Sequence, residues 1–159
     1  MNVLEKVKPI TILGIGNTLY SDEGVGVHLL PLLEKELNSS ERIHFVYGDT
    51  DSLRLLEDIE STDYLIILDA INGGKKPGTI YFMEGDEIPK YIGVKMSIHQ
   101  IGFQEVLSVA KIRERLPQNM VMIGIQPASL ELGVDVSDTI KKKMPQLVHV
   151  VSEQVEKWW

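Results

Sequence analysis

Four residues of this chain have side chains suited to holding a metal or moving a proton. Each stands where an apolar run gives way to a turn or a helix. Glu23 follows the glycine turn Gly14-Ile15-Gly16-Asn17, and Asp49 follows Ile43-His44-Phe45-Val46-Tyr47. Asp69 ends Tyr64-Leu65-Ile66-Ile67-Leu68, and His99 lies in Ser97-Ile98-His99-Gln100, just before a helical pattern. Glu23, Asp69 and His99 form an oxygen, oxygen, nitrogen donor set. Such a set suits zinc, nickel or manganese, with positions left open for a further ligand. Their separations match no local metal motif, so only the fold can bring them together. Each carboxylate also has a plainer reading. Glu23 is a favourable charge at a helix N-terminus, worth about 0.3–1 kcal/mol, and Asp69 is a cap for the turn after it. Of the other histidines, His28 falls on a helix face, His44 in a strand and His149 in the last helix, and all three read as structural. His99 differs because Gln100 stands beside it and can orient it.

The elements that must position these residues are legible from periodicity. Ile10 to Ile15 is a nearly continuous apolar run, the pattern of a strand covered on both faces. Asp22 and Glu23 then stand in a polar loop before a helix from Gly24 to Leu37. That helix places Val25, Leu29, Leu32, Leu33 and Leu37 at helical spacing, with Pro31 unexplained inside it. Strands are expected at 42–47, 64–69, 79–83 and 119–125, and helices at 52–60, 102–115 and 137–155. Ser137 is the candidate N-cap of the last helix, and Pro145 is expected to bend or split it. Right-handed crossovers make the first three strands parallel. Their C-terminal ends therefore share one edge, and Asp22, Glu23, Asp49 and Asp69 are expected to gather there, where open α/β sheets bind ligands. The connector 70–78 is too short for a crossover helix, so the fourth strand should run antiparallel.

Composition removes several classes of function. A chain of 159 residues reads as a single domain, 1–159. The net charge of -7 argues against a nucleic-acid partner. The chain has no cysteine, which excludes a disulfide scaffold, a thiolate metal site and a cysteine nucleophile. No stretch reads as a signal peptide or approaches the ~18 apolar residues of a membrane span, so the expected location is cytoplasmic. Gly14-x-Gly16 lacks the third glycine of a dinucleotide fingerprint, since Leu19 stands there, and the two acids before the helix would repel a phosphate. The signatures GxxxxGK[ST], HExxH and GxSxG are absent. Ser21, Ser97 and Ser129 have no evident base.

At these residues the sequence resembles the nickel–iron hydrogenase maturation endopeptidases. The shared features are Gly14-Ile15-Gly16-Asn17 with Asp22-Glu23-Gly24-Val25-Gly26, then Gly48-Asp49-Thr50, Leu68-Asp69-Ala70 and Pro77-Gly78-Thr79. His99-Gln100-Ile101-Gly102 follows, then Gly124-Ile125-Gln126-Pro127 with Ser129-Leu130-Glu131. They span about residues 10 to 133 in the family's order and spacing, and the ordered set is far more specific than any one of them.

The resemblance implies a three-layer α/β/α sandwich around a five-stranded mixed sheet of order 2-1-3-5-4, with strand four antiparallel. It implies an endopeptidase that removes the C-terminal extension of an immature hydrogenase large subunit after nickel insertion. Glu23, Asp69 and His99 take the positions of the family's metal ligands. The nickel is expected to arrive with the substrate, held by its thiolates, rather than to reside in the enzyme. It would polarise the scissile carbonyl or acidify a water, unless one carboxylate is the general base. Asp49 is a candidate to orient the peptide or assist proton transfer. A monomer is expected. The competing readings are a non-cleaving chaperone that binds the metal or the large subunit, and a more general hydrolase or peptidase of the same fold.

Overall fold

The computed structural model describes residues 8–37, 41–48, 52–88 and 101–159. In chain order the elements are β1 (Ile10–Gly14), a single 3-10 turn (Ser21–Gly24), α1 (Val25–Glu36), β2 (Ile43–Tyr47), α2 (Ser52–Glu60), β3 (Tyr64–Ala70), β4 (Ile80–Glu84), α3 (Ile101–Ile112), β5 (Asn119–Ile125) and α4 (Asp138–Trp158). They form one five-stranded sheet of order β2-β1-β3-β5-β4. β1, β2, β3 and β5 pair in parallel, and β4 pairs antiparallel to β5. This is the expected topology.

The apolar runs are continuous because side chains alternate between two buried faces. On β3, Ile66 and Leu68 join one core with Leu29 and Leu33 of α1 and Leu147 and Val151 of α4. Leu65 and Ile67 join the other with Leu55 and Ile59 of α2 and Phe103 and Leu107 of α3. The start of α1 crosses closely over the ends of β1 and β3. A Cβ on Gly26 would sit 2.2 Å from the Leu68 carbonyl oxygen, so this packing admits only glycine.

The element ends differ from expectation in places. The acids Asp22 and Glu23 lie in the 3-10 turn rather than an open loop, and α1 starts at Val25. The Ser137 hydroxyl accepts from the Ile140 N–H and caps α4 as expected. The expected split at Pro145 does not occur, and α4 runs unbroken for 21 residues. Ile140 on one side of the proline and Leu147, Val151 and Val155 on the other are buried in the same core, which holds the two halves in line. Pro145 and Pro31 are both exposed. At the end of α4, Arg42 donates to the Trp158 and Trp159 main-chain oxygens at 2.7 and 3.1 Å, and the Trp158 ring packs on Tyr64.

Candidate active site

β1 leads through α1 to β2 on one side and β3 lies on the other, so the crevice beyond their C-terminal ends is the switch point of the sheet. Glu23 comes from the turn after β1, and Asp69 is the penultimate residue of β3, paired with Gly124 of β5. Gly16 lies between them, with φ +134. A Cβ there would sit 1.8 Å from the Glu23 carbonyl oxygen and 3.5 Å from Asp69 Oδ1. Glycine thus lets the Glu23 main chain and the Asp69 carboxyl approach each other.

Asp69 is 1% exposed. Its Oδ1 accepts from the Ala70 N–H at 2.8 Å, and its Oδ2 is buried with no hydrogen-bond partner among the described residues. Burial pushes the Asp69 carboxyl well above its ordinary value. The Ala70 amide opposes this and the nearby Glu23 charge adds to it. A buried acceptor with nothing to accept from is destabilising. It becomes favourable when a cation reaches it, so the carboxyl pair suits a divalent ion.

His99 and Asp49 lie outside the described residues. Among the described residues, no three His, Cys, Asp or Glu side chains are grouped to hold a metal. The structure therefore brings Glu23 and Asp69 together and leaves the other two candidates unplaced.

Asp22 does not join the sheet edge, contrary to expectation. It is fully buried and turned toward the segment before α4. Its Oδ2 accepts from the Ala128 and Ser129 N–H groups at 2.8 and 2.9 Å and from the Ser137 hydroxyl at 2.9 Å, and its Oδ1 accepts from the Ser137 N–H at 2.7 Å. These donors were available only in the distant loop, and they turn Asp22 into a clamp between the Glu23 turn and the cap of α4. Its neighbour Glu23 is left at the mouth of the crevice.

Gln126 is a second residue whose role the sequence did not disclose. It is buried directly after β5. Its Oε1 accepts from the Gly73 N–H at 2.8 Å, the Lys75 N–H at 3.3 Å and the Tyr81 hydroxyl at 2.7 Å, and its Nε2 donates to Asn72 Oδ1 at 3.0 Å. It fixes the loop that follows Asp69. The available signal was a polar residue ending a buried strand, but its partners could not be read from spacing.

Among the described residues, His28, His44 and His149 join no group of three possible metal ligands. His44 is exposed on β2, and His149 pairs with Glu153 at 2.9 Å on the surface of α4. Ser21 donates to the Glu131 carbonyl, and the Ser129 hydroxyl accepts from the Glu131 N–H.

The model of the family described as "Hydrogenase maturation protease" matches residues 27–154. The hydrogenase expression/formation protein HupD of Rhizobium leguminosarum bv. viciae is 38% identical over 151 residues, 94% of this chain and 75% of that protein. The hydrogenase 2 maturation protease of Escherichia coli K12 is 33% identical over 145 residues, 90% of this chain and 88% of that protein. Among solved structures, the hydrogenase maturating endopeptidase HybD from E. coli superposes with a TM-score of 0.85 at 28% identity, covering 94% of this chain and 93% of that one.

Proposed function

The chain belongs to the hydrogenase maturation protease family and is a peptide hydrolase, and on that premise we propose that it removes the C-terminal extension of an immature nickel–iron hydrogenase large subunit once nickel is in place. The nickel belongs to the substrate. Glu23, Asp69 and His99 are the proposed ligands that meet it, with Glu23 alternatively serving as the general base instead of as a ligand.

The observation that carries this reading is the buried Oδ2 of Asp69 beside Glu23, which has no hydrogen-bond partner among the described residues. A carboxyl group kept in that state favours its proton while no cation is near. An arriving cation favours the ionised form, so engagement releases a proton. A subunit without nickel offers nothing to displace that proton, and this makes the site a check on metal loading. Substrate-bound nickel supplies a Lewis acid at the scissile carbonyl. Glu23 is partly exposed whereas Asp69 is buried. Water therefore reaches Glu23, the candidate general base. It would take a proton from water as the oxygen attacks the carbonyl, and return it to the leaving amine as the peptide bond breaks. Asp49 is assigned to orienting the extension.

The test is incubation with a nickel-loaded, unprocessed large subunit beside a nickel-free control, read by mass spectrometry. Loss of a defined C-terminal peptide only from the loaded sample is expected, and its abolition in Glu23→Ala, Asp69→Ala and His99→Ala. Cleavage of both samples would refute the metal check. Binding without cleavage by the unaltered chain would refute the proteolytic role.

A further inference from the structure

We propose that Leu19, Tyr20, Leu130, Leu132 and Val134 form the surface on which an apolar segment of the immature large subunit docks beside the scissile bond. This rests on the proposed function and names the part of the chain that holds the substrate protein.

The surface is built from two loops on the same edge of the sheet as Glu23. A parallel bridge pairs Tyr20 with Gly133. Around it, the Gly133 N–H donates to the Leu19 carbonyl at 2.8 Å, the Ser21 N–H to the Gly133 carbonyl at 2.9 Å and the Ser21 hydroxyl to the Glu131 carbonyl at 2.6 Å. The two loops are therefore one small ribbon. Its apolar side chains are left in water, with Leu19 55%, Leu132 79% and Val134 74% exposed, and Tyr20 and Leu130 also exposed. Scattered single apolar residues on a surface need no explanation, but a joined group does.

Three observations select the occupant. The first is continuity with the site. The Tyr20 carbonyl accepts from the Glu23 N–H at 3.1 Å, so a peptide that reaches Glu23 from this side must pass over the ribbon. The second is charge. The chain carries 23 acidic residues, yet residues 17–21 and 126–134 include only Glu131, and Asp22 beneath them is buried. Depletion of charge at the core and a charged surround is the pattern of a protein interface. The third is preorganisation. The four bonds to Asp22 fix the base of the ribbon before any partner arrives, so binding does not have to order it.

The double variant Leu132→Ser/Val134→Ser tests this, because both side chains are largely exposed and the fold does not depend on them. It is compared with the unaltered chain and with Ile112→Ser, an exposed residue at the far end of α3. The probe is the nickel-loaded, unprocessed large subunit, with Kd measured by titration and KM and kcat by cleavage. The double variant is expected to raise Kd and KM about tenfold or more, with kcat and the urea midpoint unchanged and Ile112→Ser without effect. If the unaltered chain binds and cleaves, and the double variant keeps the same Kd and KM, the docking surface is overturned and the function stands. If the unaltered chain neither binds nor cleaves, the function and the docking surface fall together.

Discussion

Asp69→Asn should stabilise this protein as pH rises while abolishing its activity. The unfolded carboxyl ionises around its ordinary value of 3.8, whereas burial in the fold raises the pKa well above that. A raised carboxyl pKa means that the folded chain binds a proton that the unfolded chain has released. The favourable contribution is therefore fully present below 3.8 and is lost as pH climbs toward the folded value. Over that window the loss is about 1.4 kcal/mol per pH unit. Asparagine has nearly the same shape, keeps an oxygen for the Ala70 N–H and does not titrate. Its own partnerless amide nitrogen adds a pH-independent offset of about 1–3 kcal/mol. The assay is urea unfolding of both proteins from pH 4 upward, comparing midpoints at constant m. The stability difference should grow in favour of the variant with the stated slope and flatten once the folded Asp69 ionises. Two parallel profiles with a constant offset would show that Asp69 titrates normally in the fold, and would refute both the burial argument and the proposed proton release.

Asp22→Ala leaves three backbone N–H groups and one hydroxyl without their acceptor. At about 1–3 kcal/mol for each donor that water does not reach, the loss should be about 3–5 kcal/mol in urea unfolding; a loss under about 1 kcal/mol would mean that the clamp is not structural. Gly16→Ala meets the Glu23 carbonyl at 1.8 Å and forces a non-glycine residue to φ +134. The backbone conformation alone costs about 1–3 kcal/mol. Both the thermal midpoint and the cleavage rate should fall, and normal activity with a normal midpoint would refute the close approach of Glu23 and Asp69.

The central strands β1, β3 and β5 were legible because they are buried on both sides. Leu65 and Ile67 serve one core and Ile66 and Leu68 the other, so the run has no polar interruption until Asp69. The antiparallel β4 followed from a connector too short to cross over. The break expected at Pro145 came from local propensity, and burial of Ile140 and Leu147 in one core overrode it. Asp22 and Glu23 are adjacent acids of similar chemistry, and nothing local separates their roles. What separates them is a set of donors 106 to 115 residues away. The ribbon at Tyr20 and Gly133 was likewise hidden, because 129–133 reads only as loop until the bridge is seen.

These contacts link the chemistry to the docking surface through one side chain. Asp22 holds the 3-10 turn that presents Glu23, and the same carboxyl holds Ala128 and Ser129 at the base of the ribbon and Ser137 at the cap of α4. A partner settling on the ribbon therefore rests on a frame continuous with the turn carrying the proposed base. Asp69 is fixed independently, by the β3–β5 ladder and the Ala70 amide. Loosening the frame should displace Glu23 relative to Asp69 without changing either group's chemistry. On this argument Asp22→Ala impairs both KM and kcat, through the ribbon and the base together, whereas Leu132→Ser/Val134→Ser impairs KM alone. If Asp22→Ala lowered kcat and left KM untouched, the ribbon and the turn would not be mechanically joined, and the two functions would have to be assigned to separate supports.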